Sequence, residues 1–401
     1  MNLLFVCDEY PPGPHGGIGS VVQTLARELV RQGHKIWVAG LYDYGYGGAD
    51  YESDQGVEVY RLRKKSERLG ISMHYNFWDK ALRKALFFSG QIDREVVEGL
   101  QRMRIFIKSL VAENNIELVE IPDHQHFTRQ VGKAVLFPVP ETVPTVCRLH
   151  GSNTYFAVEA GITPSPVAYT IERELLQSCT AISSVSAYTA RQTAAVLHLE
   201  RHMTVIHNGI VVGTPATAAE KQALQVLFAG SLLPKKGIFQ LMMAWNKVVI
   251  KCPEAQLNVL GKGATAPLRA LLSPEAVKQV YFKGHQPHSR VIAALRQAGI
   301  AVFPSFAEAF ALAPLEAMAA GTATIYSQRT SGPEIITDGL DGLILDPADT
   351  DAMAAAILQL LSNNSLREQL ALAGYERVKS CFTIEKIAQD SVTYYQTLTL
   401  Q

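Results

Sequence analysis

No window of this 401-residue chain approaches the roughly 18 uninterrupted apolar residues that a membrane span needs. The opening MNLLFVCDEYPP breaks its apolar run at Asp8 and has neither the basic lead nor the length of a signal peptide. The five cysteines (Cys7, Cys147, Cys179, Cys252, Cys381) form no C-x-x-C pair. An odd, scattered set of this kind reads as reduced, buried thiols, so a cytoplasmic location is expected, with room for resting on a membrane surface. Charge of neither sign is in excess, 37 basic residues against 37 acidic, which gives a nucleic-acid partner no support. There is no H-E-x-x-H element, and no P-loop lysine follows the Gly-rich loop near the amino terminus.

What is present is an ordinary globular composition, 48% hydrophobic and 18% charged. The length exceeds what one core usually holds, so two domains are expected. LLFVCD (3–8) leads through a Gly-rich loop into SVVQTLARELVRQGH (20–34), where Val21, Val22, Leu25, Leu29 and Val30 share one helical face and Gly33 closes the helix. KIWVAGLY (35–42) completes a β-α-β unit. IELVEI (116–121), TVCRLH (145–150) and TAISSVS (180–186) read as further strands of a parallel sheet.

The pattern restarts at QVLFAGSL (225–232), with a helix through 237–251, then QLNVLGKG (256–263), VYFKGH (280–285), IAVFPS (300–305), a helix across 315–320, ATIYS (323–327) and GLILDP (342–347). The predicted fold is α/β: two doubly wound, Rossmann-like parallel-sheet domains. Their join lies in VVGTPATAAEK (211–221), which divides the chain into residues 1–210 and 211–383. The segment 384–401 is expected to be an amphipathic helix that packs back on the first domain. Ligands of such sheets bind outside the carboxyl ends of the strands, so two of them facing across a cleft suit a two-substrate reaction.

PSFAEAFALAPLEAMAAG (304–321) is the most informative segment. Glu308 follows a strand, and Glu316 lies eight residues later in a helix that Pro314 is placed to start. A carboxylate there can accept sugar hydroxyls. Amides near Ala309, Phe310, Ala311 and Leu312 point where a diphosphate would lie, assisted by the helix dipole. Taken alone, two solvated glutamates near a helix start explain the spacing equally. PPGPHGGIGS (11–20), with Gly16, Gly17 and Gly19, is either a ligand-approaching loop or a tight strand-to-helix turn, and His15 within it is a substrate contact or only an exposed loop residue. His150 ends a strand at the binding edge, and a lone histidine there is often structural.

E-x-F-x-L-x-x-x-E followed by Gly321 resembles the E-x7-E signature of the retaining GT-B glycosyltransferases of family 4. In order along the chain, PPGPHGGIGSVVQTLARELVRQGH, HNGI (207–210), AGSLLPKKG (229–237), VLGKG (259–263), VYFKGH (280–285) and SGPEIITDGLDGLI (331–344) are similar to that family's other landmarks. The resemblance covers nearly the whole chain. It implies transfer of a sugar from a nucleotide diphosphate sugar, with retained anomeric configuration. It implies that Glu316 holds the donor ribose, Glu308 the sugar near its 3-hydroxyl, and the amides around Phe310 the diphosphate. Lys236 would neutralise the leaving phosphate. The Gly-rich loop would close on diphosphate and acceptor. His150 resembles the family's H-G element, and EIPDHQHF (120–127) places Pro122, with Asp123 and His124 beside it, where relatives carry a histidine facing the sugar. No cofactor and no metal are expected; the donor is a substrate, with UDP-glucose the first expectation.

Two departures stand out. Ser231 occupies the position of the family's arginine, so either another cation such as Lys235 replaces it or the donor is bound less tightly, and Ala309 and Ala311 replace two motif glycines. Residues 61–110 hold twelve basic against five acidic residues, interleaved with Tyr75, Phe77, Trp78, Phe87 and Phe88. That stretch suits an anionic membrane or a lipid-linked acceptor, and it equally suits a solvated helical face with its aromatics in the core. The expected partners are a nucleotide sugar and a saccharide or lipid-linked acceptor of polysaccharide or glycolipid synthesis, with peripheral membrane contact as an open reading. A nucleotide-sugar epimerase of the same two-domain fold is the alternative; it would need a different carboxylate and histidine set.

Overall fold

The structure, a computed structural model, describes residues 1–64, 84 and 86–400. The chain divides into two compact units, Met1–Gly209 with Ile384–Gln401, and Ile210–Thr383.

The first unit holds β1 (Asn2–Val6), β2 (Lys35–Tyr42), β3 (Tyr51–Asp54), β4 (Val57–Arg63), β5 (Leu118–Pro122), β6 (Thr145–Leu149), β7 (Ala181–Ser184) and β8 (Met203–Val205). They lie in the order β3-β4-β2-β1-β5-β6-β7-β8, and every neighbouring pair is parallel except β3 with β4. Its longer helices are α1 (Gly17–Arg31), α2 (Gln91–Asn114), α3 (Asn153–Glu159), α4 (Pro166–Ser178) and α5 (Ala187–Leu197). β1 is apolar at every position because successive side chains leave opposite faces of a sheet covered on both. Leu4 and Val6 meet Val96, Leu100, Met103 and Ile107 of α2, whereas Leu3 and Phe5 meet Val22, Leu25 and Leu29 of α1.

The helix Ile384–Thr399 belongs to this unit. Ile384, Ala388 and Tyr395 enter the α1-side core, and the Tyr395 hydroxyl donates to Glu120 on β5. Burial pushes the Glu120 carboxyl up, while Arg148 on β6, 3.7 Å away, opposes that shift.

The second unit is simpler. β9 (Gln222–Ala229), β10 (Gln256–Leu260), β11 (Val280–Gly284), β12 (Ala298–Phe303), β13 (Ala323–Ser327) and β14 (Leu343–Leu345) form a wholly parallel sheet, ordered β11-β10-β9-β12-β13-β14. α6 (Ile238–Lys251), α7 (His288–Gln297), α8 (Leu312–Ala319), α9 (Thr350–Ser362) and α10 (Asn364–Cys381) accompany it. Trp245 of α6 and Ile357 and Leu360 of α9 are fully buried in its main core with Val226, Phe228 and Val259. Truncating one such side chain to alanine costs about 3–5 kcal/mol for an aromatic and about 2–5 for an aliphatic.

In both sheets the chain reverses its direction of travel once, next to the founding strand. The reversal falls between β1 and β5 in the first unit and between β9 and β12 in the second. Loops diverge there, so each reversal opens a crevice at the carboxyl ends of the strands.

Several local expectations are corrected. α1 begins at Gly17, three residues before the apolar pattern, because the Gly-rich loop itself supplies the first turn. α8 begins at Leu312, so Pro314 sits in its first turn, where a missing amide costs nothing. Part of the basic stretch is internal. The buried Arg61 guanidinium donates to Glu52 (2.6 Å) and to the carbonyls of Pro11 (2.6 Å) and Ala49 (2.9 Å), and Lys64 binds Asp43 (2.8 Å) and Gln130 (2.6 Å). Phe87 and Phe88 are exposed, the latter by 75%. Tyr75, Phe77 and Trp78 lie outside the described residues. No helix among the described residues is long and apolar enough to cross a membrane.

Candidate active site

The crevice of the second unit gathers residues from far apart in sequence. β9 ends at Ala229, and the loop after it forms a single turn at Pro234–Lys236 before α6. Gly237 joins turn to helix at φ +69°, and a Cβ there would lie 1.8 Å from the Pro304 carbonyl oxygen. Glycine is therefore required on two counts, and its absence of a side chain lets this loop lie against the end of β12. The Lys235 carbonyl accepts from the amides of Phe306 (2.7 Å) and Ala307 (3.3 Å), which ties the β9 and β12 loops together.

That stitching brings Lys236 onto Glu308. Lys236 Nζ and Glu308 Oε1 form an ion pair with side chains only 23% and 14% exposed, and the Ser305 hydroxyl donates to the same oxygen. Glu316 lies one turn into α8, where its Oε1 is 2.8 Å from His288 Nε2 at the start of α7. Ala311 gives α8 no side-chain cap, and the amides of a helix's first turn have no acceptor within the helix. Ala311 is extended at φ −82°, ψ 129°, and Ala309 is not among the positive-φ residues, so the alanines in place of glycine strain nothing. Ser231 stands in the same loop. The Leu232 amide donates to the Lys262 carbonyl (2.9 Å), which places a second loop, carrying the exposed Lys262, beside it.

The crevice of the first unit is organised around β1 and β5. Glu9, just past β1, accepts from the amides of Gly19 (2.7 Å) and Gly16 (3.2 Å) at the start of α1. A Cβ on Gly19 would lie 2.0 Å from the Glu9 carbonyl oxygen, whereas one on Gly17 would meet nothing within 4 Å. Close packing, not positive φ, demands glycine at Gly19. His126 Nε2 is 3.4 Å from Glu9 Oε2, and the His126 amide donates to Asp8 (2.8 Å). The Glu9 contact and the charge of Asp8 raise His126 to about 9 against the opposing effect of burial. Burial pushes Glu9 up, but His126 and the two glycine amides outweigh it and leave Glu9 lowered.

Asp123, at the end of β5, accepts from the His150 amide (2.7 Å) at the end of β6 and is raised to about 7, chiefly by burial. Its second oxygen is buried without a hydrogen-bond partner. Burial, helped by Arg148, drives His150 well below its ordinary range, so its imidazole is neutral at physiological pH. The His124 and His126 rings meet edge to face, with centroids 5.8 Å apart. Among the described residues no group of three His, Cys, Asp or Glu side chains is arranged to hold a metal ion.

The structure thus brings Lys236 to Glu308 and Asp123 to the His150 backbone, and folds Gly16 and Gly19 onto Glu9. Sequence reasoning missed His288, His126, Asp8 and Glu9. The D-E pair directly after β1 was a usable signal for the last two; the histidines had none, because only the fold brings them to their carboxylates.

Two family descriptions match consecutive stretches of the chain: Glycosyltransferase Family 4 over residues 15–213 and Glycosyl transferases group 1 over residues 215–377. The chain belongs to glycosyltransferase family 4.

Its similarity extends over whole proteins. The glycogen synthase of Mycobacterium tuberculosis is 24% identical over 421 residues, covering 98% of this chain and 94% of that protein. Among solved structures, sucrose-phosphate synthase from Thermosynechococcus elongatus superposes with a TM-score of 0.75 at 20% identity, covering 99% of this chain and 98% of that one. Anabaena HepE in complex with UDP and glucose gives a TM-score of 0.70 at 15% identity, covering 99% and 100%. This family-4 chain accordingly has the GT-B fold, with a Rossmann-like sheet in each unit, and is a glycosyltransferase.

Proposed function

We propose that the enzyme transfers a hexose from a nucleotide diphosphate sugar, UDP-glucose in the first instance, to a saccharide or lipid-linked acceptor with retention of configuration and without a metal ion. The observation that carries this reading is the Lys236–Glu308 pair at the β9/β12 crevice, beside the uncapped start of α8. Lys236 and the α8 amides supply positive potential where a diphosphate would gain charge, the work a divalent cation otherwise does. Glu308 then holds the donor sugar near its 3-hydroxyl, and Glu316 accepts the ribose hydroxyls. In the first unit, Asp123 and His124 are the further catalytic candidates, and His150 with Gly16, Gly17 and Gly19 are the further donor-binding ones.

The reaction is a same-face displacement. The bond from the anomeric carbon to the phosphate oxygen breaks, the bond to the acceptor oxygen forms, and the acceptor hydroxyl proton passes to the departing phosphate. A UDP and glucose complex of a structural neighbour supports the donor class, and a glycogen synthase relative supports a saccharide acceptor. The exposed Phe87 and Phe88 suit a peripheral contact with an anionic membrane.

A donor screen by thermal shift, followed by turnover of Glu308→Ala, Glu316→Ala, Lys236→Ala and the triple variant, tests the proposal. Stabilisation by a nucleoside diphosphate in the presence of chelator, with turnover lost in the variants, is the expected result. Failure of every nucleotide to stabilise the chain, or turnover by the triple variant, would sink it.

A further inference from the structure

Glu316 has a partner that neither its position nor its motif announces. His288 is the first residue of α7, and its Nε2 lies 2.8 Å from Glu316 Oε1 across the contact between α7 and α8. The two side chains differ sharply in exposure, 74% for His288 and 16% for Glu316. The positive end of a helix dipole disfavours an imidazolium, so the first turn of α7 is an unfavourable place for one unless an anion faces it. Glu316 is that anion, and its hydrogen bond raises His288 above its ordinary range while burial opposes the rise. Among the described residues the charged group facing His288 is Glu316, on α8. Of the other charges near α7, Arg290 lies two residues after His288 in the first turn, and Lys221 and Arg296 sit at the far end, where Lys221 Nζ donates to the Leu295 carbonyl.

We infer that His288 is a positioning residue for the donor nucleoside, holding the Glu316 carboxylate in the orientation that accepts the two ribose hydroxyls. The inference rests on the reading in which Glu316 takes the ribose. A carboxylate offers about four lone-pair sites, so one hydrogen bond from His288 leaves enough for a diol, and the two do not compete. The imidazolium donates from both nitrogens. The neutral ring donates from one only, and the proton that held Glu316 can be lost or moved to Nδ1. Nucleotide affinity therefore has a component present below the His288 pKa that declines as pH rises through it.

The test is calorimetric titration of UDP and GDP into the wild type, His288→Ala, His288→Gln and Glu316→Ala between about pH 6 and pH 9, a range that spans histidine ionisation. The 2′,3′-dideoxy analogue of whichever nucleotide binds better serves as control. His288→Ala is expected to weaken the nucleotide roughly fivefold near pH 6, the upper end of what an exposed ion pair contributes. His288→Gln, which keeps an N–H donor and cannot titrate, restores that affinity and removes the pH dependence seen in the wild type. The dideoxy analogue binds the wild type and His288→Ala alike. In turnover, His288→Ala raises KM for the donor and leaves kcat unchanged. Equal affinity of wild type and His288→Ala at every pH, or an equal loss for the dideoxy analogue, overturns the inference while leaving the donor site standing. If neither nucleotide binds the wild type, the donor-site reading falls and this inference falls with it.

Discussion

Replacing Lys236 by alanine removes a cation that the β9 loop holds against Glu308, and the expected consequence can be sized. Two unit charges about 4 Å apart at an effective dielectric near 20 interact by about 4 kcal/mol. With the pair 23% and 14% exposed, that figure is a ceiling, because water still reaches both groups. Removing one preorganised donor from a developing anion costs about 10²–10³ in kcat in comparable sites. Lys236→Ala is therefore expected to lower kcat by about 10²–10³. KM should change far less, since the diphosphate gains negative charge only as the glycosidic bond breaks. Initial rates of UDP release from UDP-glucose with an oligosaccharide acceptor, over a series of donor concentrations, separate the two parameters. A structural contribution is removed by comparing melting temperatures. Lys236→Ala strips Glu308 of its cation at a cost of about 1 kcal/mol, and adding Glu308→Gln is expected to recover that loss without recovering kcat. A kcat within about threefold of wild type, where one oxyanion donor should count for at least two powers of ten, would refute the assignment of Lys236 to the leaving group.

Other expectations follow from the first unit. Gly19→Ala would drive a Cβ to 2.0 Å from the Glu9 carbonyl oxygen and should cost about 1–3 kcal/mol by thermal or urea denaturation, whereas Gly17→Ala, which meets nothing within 4 Å, should change stability by less than about 0.5 kcal/mol. Tyr395→Phe removes the hydroxyl that Glu120 accepts in the core and should destabilise the unit by about 1–3 kcal/mol, measured in urea. His126 is raised to about 9 in the folded state from an ordinary 6.5, so its contribution to stability is complete below about pH 6.5 and is lost as pH rises to about 9. In His126→Gln the slope of stability with pH across that window should flatten; an unchanged slope would show that His126 is not charged on Glu9.

Much of the fold could be read from the sequence because strands buried on both faces are nearly continuous apolar runs, as in LLFV, WVAGLY and IAVF, each closed by a glycine, proline or polar residue. The antiparallel β3 escaped because three of the four residues of Tyr51–Asp54 are polar and the strand lies at the sheet edge. Strand order was invisible in the same way: nothing in β9 or β12 says that they are neighbours, yet that adjacency is what joins Lys236 to Glu308 across 72 positions. The carboxylates were legible as a motif, and their partners were not. Arg61 shows the opposite failure. Its charge suggested surface, and only the surrounding carbonyls and Glu52 explain why a guanidinium is stable inside.

Ile210 and Thr383 pair as a short parallel bridge, and the Ile210 amide donates to the Phe382 carbonyl at 3.0 Å. The second unit thus enters and leaves the chain at one spot, as an insertion whose two ends touch although they lie 173 positions apart. A segment with adjacent ends can be exchanged for another of the same architecture without changing the distance the host chain must span. The second unit can therefore be exchanged as a cassette, and the helix Ile384–Thr399, anchored by Tyr395 on Glu120, is the part of the first unit that follows it in the chain.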